Sequence, residues 1–190
     1  MTQLEFLVAV CSFVPFGPAR VGLLLSFFGN ARKIWLAPAK KLTEIGLGEK
    51  LTYKFIEYRK KFKFSEYFNR LNNLSIKVLT KKDRDYPENL RDLMGSPLVL
   101  YVKGSLIRED TNSVAIVGAR KMTSYGKEVT ENFAKELASS RVTIVSGLAR
   151  GVDSVAHKAA LEAGGRTIAV LGSGLDCIYP PENFGLAREI

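Results

Sequence analysis

Ser113-Val114-Ala115-Ile116-Val117-Gly118-Ala119-Arg120 is an unbroken apolar run that ends in a small-residue turn and a positive charge. The pattern returns twice. Residues 142–145 lead into Ser146-Gly147-Leu148-Ala149-Arg150-Gly151-Val152-Asp153, and residues 167–171 lead into Gly172-Ser173-Gly174-Leu175-Asp176. Between these runs, residues 125–140 place Val129, Phe133, Leu137 and Ala138 at helical spacing, and residues 153–163 read as a second helix. Short apolar strands alternating with helices predict right-handed βαβ units and a parallel sheet whose strands are buried on both faces. The expected fold class is α/β with a Rossmann-like sheet.

Upstream the pattern changes. Residues 4–13 and 19–28 read as two apolar helices around a Pro15-Phe16-Gly17-Pro18 turn, the second closed by Gly29-Asn30. A short helix ending at Ile45, the turn Gly46-Leu47-Gly48 and a helix over residues 49–64 repeat the arrangement. Two helix–turn–helix units imply a small all-helical domain with helix-hairpin-helix-like units, read either as a phosphate-contacting module or as an ordinary bundle. Residues 76–79 and 98–102 read as strands of a bridge. The boundaries expected are a helical domain over 1–72 and the Rossmann-like domain over 73–190. The apolar stretch over residues 4–28 begins with Glu5, lacks a basic leader and is broken by Pro15, Gly17, Pro18 and Arg20, so no membrane association is expected.

The chain carries a net charge of +9, unevenly placed. Residues 1–82 hold 15 Lys/Arg against 5 Asp/Glu, and residues 83–190 hold 13 against 14. The densest run is Arg59, Lys60, Lys61 and Lys63, interleaved with Phe62 and Phe64, which is either a solvated helix end or a phosphate-facing patch. Cys11 and Cys177 form neither a CxxC pair nor a ligand cluster, so no metal and no disulfide framework is expected, in keeping with a cytoplasmic location.

Ligands of an open parallel sheet bind beyond the carboxyl ends of its strands. Three loops lie there. Gly118, Ala119, Arg120 and Lys121 follow the first strand; Ser146, Gly147, Ala149, Arg150 and Gly151 follow the second; the Gly172-Ser173-Gly174 turn follows the third. Small residues allow close approach, backbone N–H groups at a helix entry can meet an anion, and Arg120, Lys121 and Arg150 add fixed positive charge. Together they make a phosphate-binding rim without a general acid–base pair. There is no GxxxxGK[ST], and Cys177 stands where a dinucleotide fingerprint needs glycine, so no nucleotide cofactor is expected. Ser146 lacks a GxSxG setting and reads as a cap or a phosphate contact; His157, the sole histidine, reads as structural; Asp153 reads as a helix cap. No catalytic residue is assigned. The competing reading is a nucleotide-handling enzyme of the Rossmann-like phosphoribohydrolase type, for which Asp153, Asp176, Glu182 and His157 are the available acids and bases. A partner-binding scaffold is a third.

The ordered set of segments resembles the DNA-processing protein A (DprA/Smf) family. It comprises Tyr86-Pro87 through Leu90, then Pro97 with Leu100-Tyr101-Val102-Lys103-Gly104. Val114 through Arg120, Tyr125-Gly126 and Ser146 through Asp153 follow. Ala156-His157, Ala160-Leu161, Gly164-Gly165, Val170 through Asp176, Tyr179-Pro180 and Asn183 complete it. The resemblance covers residues 85–186. It implies a homodimeric, non-catalytic protein that protects incoming single-stranded DNA during natural transformation and helps load a RecA-type recombinase onto it. It places the family's G-[STA]-R motif on Gly118-Ala119-Arg120, with Arg120 on DNA phosphate and the loop from Ser146 to Asp153 lining the same pocket. The family's domain continues beyond its Tyr-Pro-x-x-Asn segment, so with three parallel strands the Rossmann-like domain reads as incomplete at its C-terminus.

Overall fold

The computed structural model describes all 190 residues. They form two compact units, Met1–Gly104 and Ser105–Ile190.

The first unit opens with helices α1 (Gln3–Cys11), α2 (Pro18–Phe28), α3 (Ala31–Leu36) and α4 (Ala39–Leu42), continues through a π-helical turn at Thr43–Leu47, and adds α5 (Glu49–Lys61) and α6 (Phe64–Asn73). Local signals set these ends. Thr2 and Glu5 form a capping box at α1, Pro18 starts α2 at its first turn, Gly29 closes α2 at φ 81°, and Asn30 caps α3 by accepting from the Lys33 N–H. Neither α1 nor α2 is long enough to cross a membrane, and no helix of the structure is both long and apolar enough. The helix expected over residues 49–64 breaks at Phe62, because Phe62 and Phe64 both turn into the aromatic core, and α6 begins a new direction.

That core is built of rings. Phe6, Phe13, Phe16, Trp35 and Phe55 are buried, with Tyr58, Phe62 and Phe64 packed against them. Their centroids lie at the usual separations of edge and tilted pairs: 4.7 Å for Phe16–Phe55, 5.2 Å for Trp35–Phe64 and 5.9 Å for Trp35–Phe55. One member of the basic run is drawn in here, and its three lysines stay exposed. Arg59 lies 5.1 Å over the Phe55 ring and donates to the carbonyls of Trp35 and Ala37, capping the end of α3. Lys60 pairs with Glu57 and Lys63 with Glu66.

The unit is not all helical. Strands β1 (Ile76–Thr80) and β2 (Val99–Lys103) pair antiparallel, from Ile76 opposite Lys103 to Thr80 opposite Val99. They contact α6 and α1, which is why residues 73–104 belong with the helices and not with the parallel sheet. The Tyr67 and Tyr101 hydroxyls, 2.9 Å apart, both meet Ser12 and fasten α6 and β2 to the end of α1. Between the strands lies the short helix α7 (Glu88–Arg91). Tyr86 donates to the Pro97 carbonyl at 2.6 Å, and Arg91 donates to the carbonyls of Asp83 and Tyr86, each at 3.0 Å. The Tyr86-Pro87 segment is scaffold.

The second unit is the α/β layer: β3 (Ser113–Ala115), α8 (Ser124–Ser139), β4 (Thr143–Ser146), α9 (Val152–Glu162), β5 (Thr167–Ala169) and a terminal α10 (Phe184–Glu189). The sheet is parallel in the order β3-β4-β5, with Val114 opposite Ile144 and Ile144 opposite Thr167. Strands β3 and β5 are shorter than their apolar runs, although single ladder bonds persist beyond them, from the Ile116 N–H to Val145 and from the Val170 N–H to Ser146. Helices α8 and α9 pack together on one face through Ala134, Ala138, Ala156, Ala159 and Ala160 around Ile144. The expectation of strands buried on both faces fails. On the other face, Val145 and Ile168 are half-buried, while Val117 and Val170 are 73% and 62% exposed.

Candidate nucleic-acid interface

The loops after β3 and β4 meet at the carboxyl edge of this sheet, held by contacts that use small residues for a reason, and the Gly172-Ser173-Gly174 turn follows β5 at the same edge. Gly151 enters α9 at φ 81° and ψ −129°, a conformation side chains resist, and a methyl group there would lie 2.1 Å from the Ala119 carbonyl oxygen. The next residue, Val152, donates its N–H to that same oxygen at 3.2 Å. A methyl on Gly118 would in turn strike Val152 at 2.8 Å. The loop after β3 and the entry to α9 are thus in van der Waals contact, and Arg120 is anchored at the seam.

Asp153 changes the reading of the second loop. Its buried carboxylate accepts from the N–H groups of Gly147 (3.2 Å) and Ala149 (3.3 Å). These are two of the amides that the sequence offered to an anion, and the chain supplies its own. Ser146 is likewise committed, donating to the Ile116 carbonyl at 2.7 Å. Asn183, buried below the loop, donates to the carbonyls of Leu148 (2.9 Å) and Ala149 (3.3 Å). Leu148 is fully buried at φ 58°, so the loop is pinned from beneath at its most strained residue. The role of Asn183 was not legible from its sequence position, because its partners are carbonyls 34 and 35 residues away.

The charged side chains remain on the surface. Arg120 and Lys121 are exposed and take part in no ion pair or hydrogen bond. Arg150 is paired with Glu182; hydrogen bonding between them holds the guanidinium above its ordinary range and the carboxyl below.

Each of the acids and bases named for the competing reading has a structural setting of its own. Asp153 is spent on loop amides, Glu182 on Arg150, and Asp176 folds back to within 2.5 Å of where a Gly174 methyl would stand. His157 is completely buried beneath the sheet. Its Nδ1 lies 2.7 Å from the Thr167 hydroxyl, which donates onward to the Ile144 carbonyl at 2.8 Å. Burial pushes the imidazole down to about 4, against the pull of the Asp153 charge.

The chain also resembles known proteins along most of its length. The model of the DNA recombination-mediator protein A family matches residues 77–190. Protein Smf of Synechocystis is 37% identical over 179 residues, covering 92% of this chain and 45% of that protein. The crystal structure of DNA processing protein A from Streptococcus pneumoniae superposes with a TM-score of 0.76 at 28% identity, over 99% of this chain and 64% of that one. The structure of DNA processing protein A from Helicobacter pylori, concerned with its single-stranded DNA binding mode, gives a TM-score of 0.54 at 36% identity over 62% of this chain and 52% of that one. The chain thus spans about half the length of its curated relative. With a family model that fits well over half of the chain, and a fold shared with the Streptococcus pneumoniae protein through both units, this chain belongs to the DNA recombination-mediator protein A family.

Proposed function

We propose that the chain binds single-stranded DNA by its phosphates, along the rim formed by Gly118, Ala119, Arg120 and Lys121 and by Ser146, Gly147, Ala149, Arg150 and Gly151. In this reading Gly118, Ala119 and Gly151 set the seam, Ser146, Gly147 and Ala149 build the loop, and Arg120, Lys121 and Arg150 face the phosphates. The observation that carries the reading is the pair of unpartnered cations, Arg120 and Lys121, on a backbone locked by the Gly151–Ala119 contact. The single-stranded DNA binding mode of the Helicobacter pylori relative supports the choice of ligand. In the whole protein the function is non-catalytic. It protects incoming single-stranded DNA in the cytoplasm during natural transformation and loads a RecA-type recombinase, with the protein acting as a homodimer.

Phosphate binding makes affinity fall with salt and tolerate many sequences. Titration of a labelled oligonucleotide at two salt concentrations tests this directly. Arg120→Ala is expected to weaken binding roughly tenfold, as for loss of one charge-assisted hydrogen bond. It should also reduce the salt slope by about 0.7. An Arg120→Ala protein with wild-type affinity and slope would remove Arg120 from the site.

A further inference from the structure

The chain has seven tyrosines, and the structure sorts them. Tyr58, Tyr67, Tyr86 and Tyr101 each spend their hydroxyl on a hydrogen bond within the helical unit. Tyr53, Tyr125 and Tyr179 are exposed, by 67%, 75% and 63%. Of these three, Tyr125 and Tyr179 belong to the α/β unit, and both stand close in the chain to residues of the phosphate rim. Tyr125 is the second residue of α8, four positions after Lys121, and the parallel topology sets the start of α8 at the carboxyl edge of β3. Tyr179 stands three residues before Glu182, which pairs with Arg150, and four before Asn183, which holds the second loop.

We infer that Tyr125 and Tyr179 are base-stacking platforms beside the rim, and that they make the ligand an unpaired strand. The inference rests on the phosphate-rim reading and deepens it. Cationic side chains hold a backbone without regard to strandedness. An exposed phenol ring gains from stacking only on a base whose face is free, and a duplex buries those faces against its own neighbours. Exposed rings near cations are the arrangement that suits a single strand.

The test uses the full chain with three ligands: an oligonucleotide, the same oligonucleotide carrying abasic positions, and its duplex. Tyr125→Ala and Tyr179→Ala are each expected to weaken binding of the intact single strand by roughly 5- to 100-fold, the range for loss of one stacked base. The salt slope should not change, because a neutral ring releases no counterions. The effect should shrink on the abasic strand, and the phenylalanine variants should retain affinity. Alanine variants that bind the intact strand like wild type would overturn the inference while leaving the rim standing. An equal loss on intact and abasic strands would overturn it too, by showing that the rings act on the fold. Absence of salt-dependent binding by the unaltered chain would remove the rim, and the stacking with it.

Discussion

In the helical unit the helices are spaced by rings, with Trp35 and Phe55 at the centre of the aromatic cluster. In the α/β unit α8 and α9 are spaced by methyl groups, with five alanines around Ile144. The charges divide differently again. Residues 1–104 hold 18 Lys/Arg against 9 Asp/Glu, while residues 105–190 hold 10 of each. The unit with the surplus charge spends part of it internally, on the α3 end and on Glu57 and Glu66. The neutral unit holds Arg120 and Lys121 unpaired on a rigid edge. Net charge therefore measures long-range attraction to a polyanion, whereas a site depends on where cations stand free on a fixed backbone.

The strongest way to break this comparison is to damage one core. Phe55→Ala removes the ring at the centre of the aromatic cluster and should cost about 3–5 kcal/mol. Trp35, the only tryptophan, reports the helical unit alone, so its fluorescence transition in urea should move while hydrogen exchange in α8 and α9 does not. Simultaneous loss of both would refute the division at Gly104.

Acid should act on the other unit. His157 has a folded-state value of about 4, below the ordinary value of 6.5, so the unfolded chain takes up its proton first as pH falls. The stability contributed by the neutral imidazole is complete above pH 6.5 and declines toward pH 4, by at most about 1.4 kcal/mol per pH unit. Urea melts of the α/β unit, followed by hydrogen exchange, should show this decline, and a His157→Leu protein should lack it. A His157→Leu protein with an unchanged pH profile between 6.5 and 4 would mean that the group is not buried as described.

The smallest effect sharpens the electrostatic half of the comparison. Glu182→Gln releases Arg150 and removes a negative charge from the rim, so the oligonucleotide should bind roughly two- to fivefold more tightly, the scale of an exposed ion pair. With Arg150→Ala already in place, most of that gain should vanish. Weaker binding by Glu182→Gln would instead make Glu182 an orienting partner of Arg150.

The sequence determined the alternation of β3, α8, β4, α9 and β5, because strand and helix periodicities are local and each loop announces itself with small residues. It also placed Gly118 through Lys121 and Ser146 through Gly151 at one sheet edge, since parallel connection leaves no other place for them. Tertiary structure decided what those residues have left to offer. The amides of Gly147 and Ala149 meet Asp153, Arg150 meets Glu182, and Asn183 holds Leu148 and Ala149 from a distant segment. It also decided that β1 and β2 join the helices and that Phe62 ends α5. Those outcomes depend on which partner reaches a group first in three dimensions, and such competition between a nearby and a remote partner leaves no periodic trace in a chain.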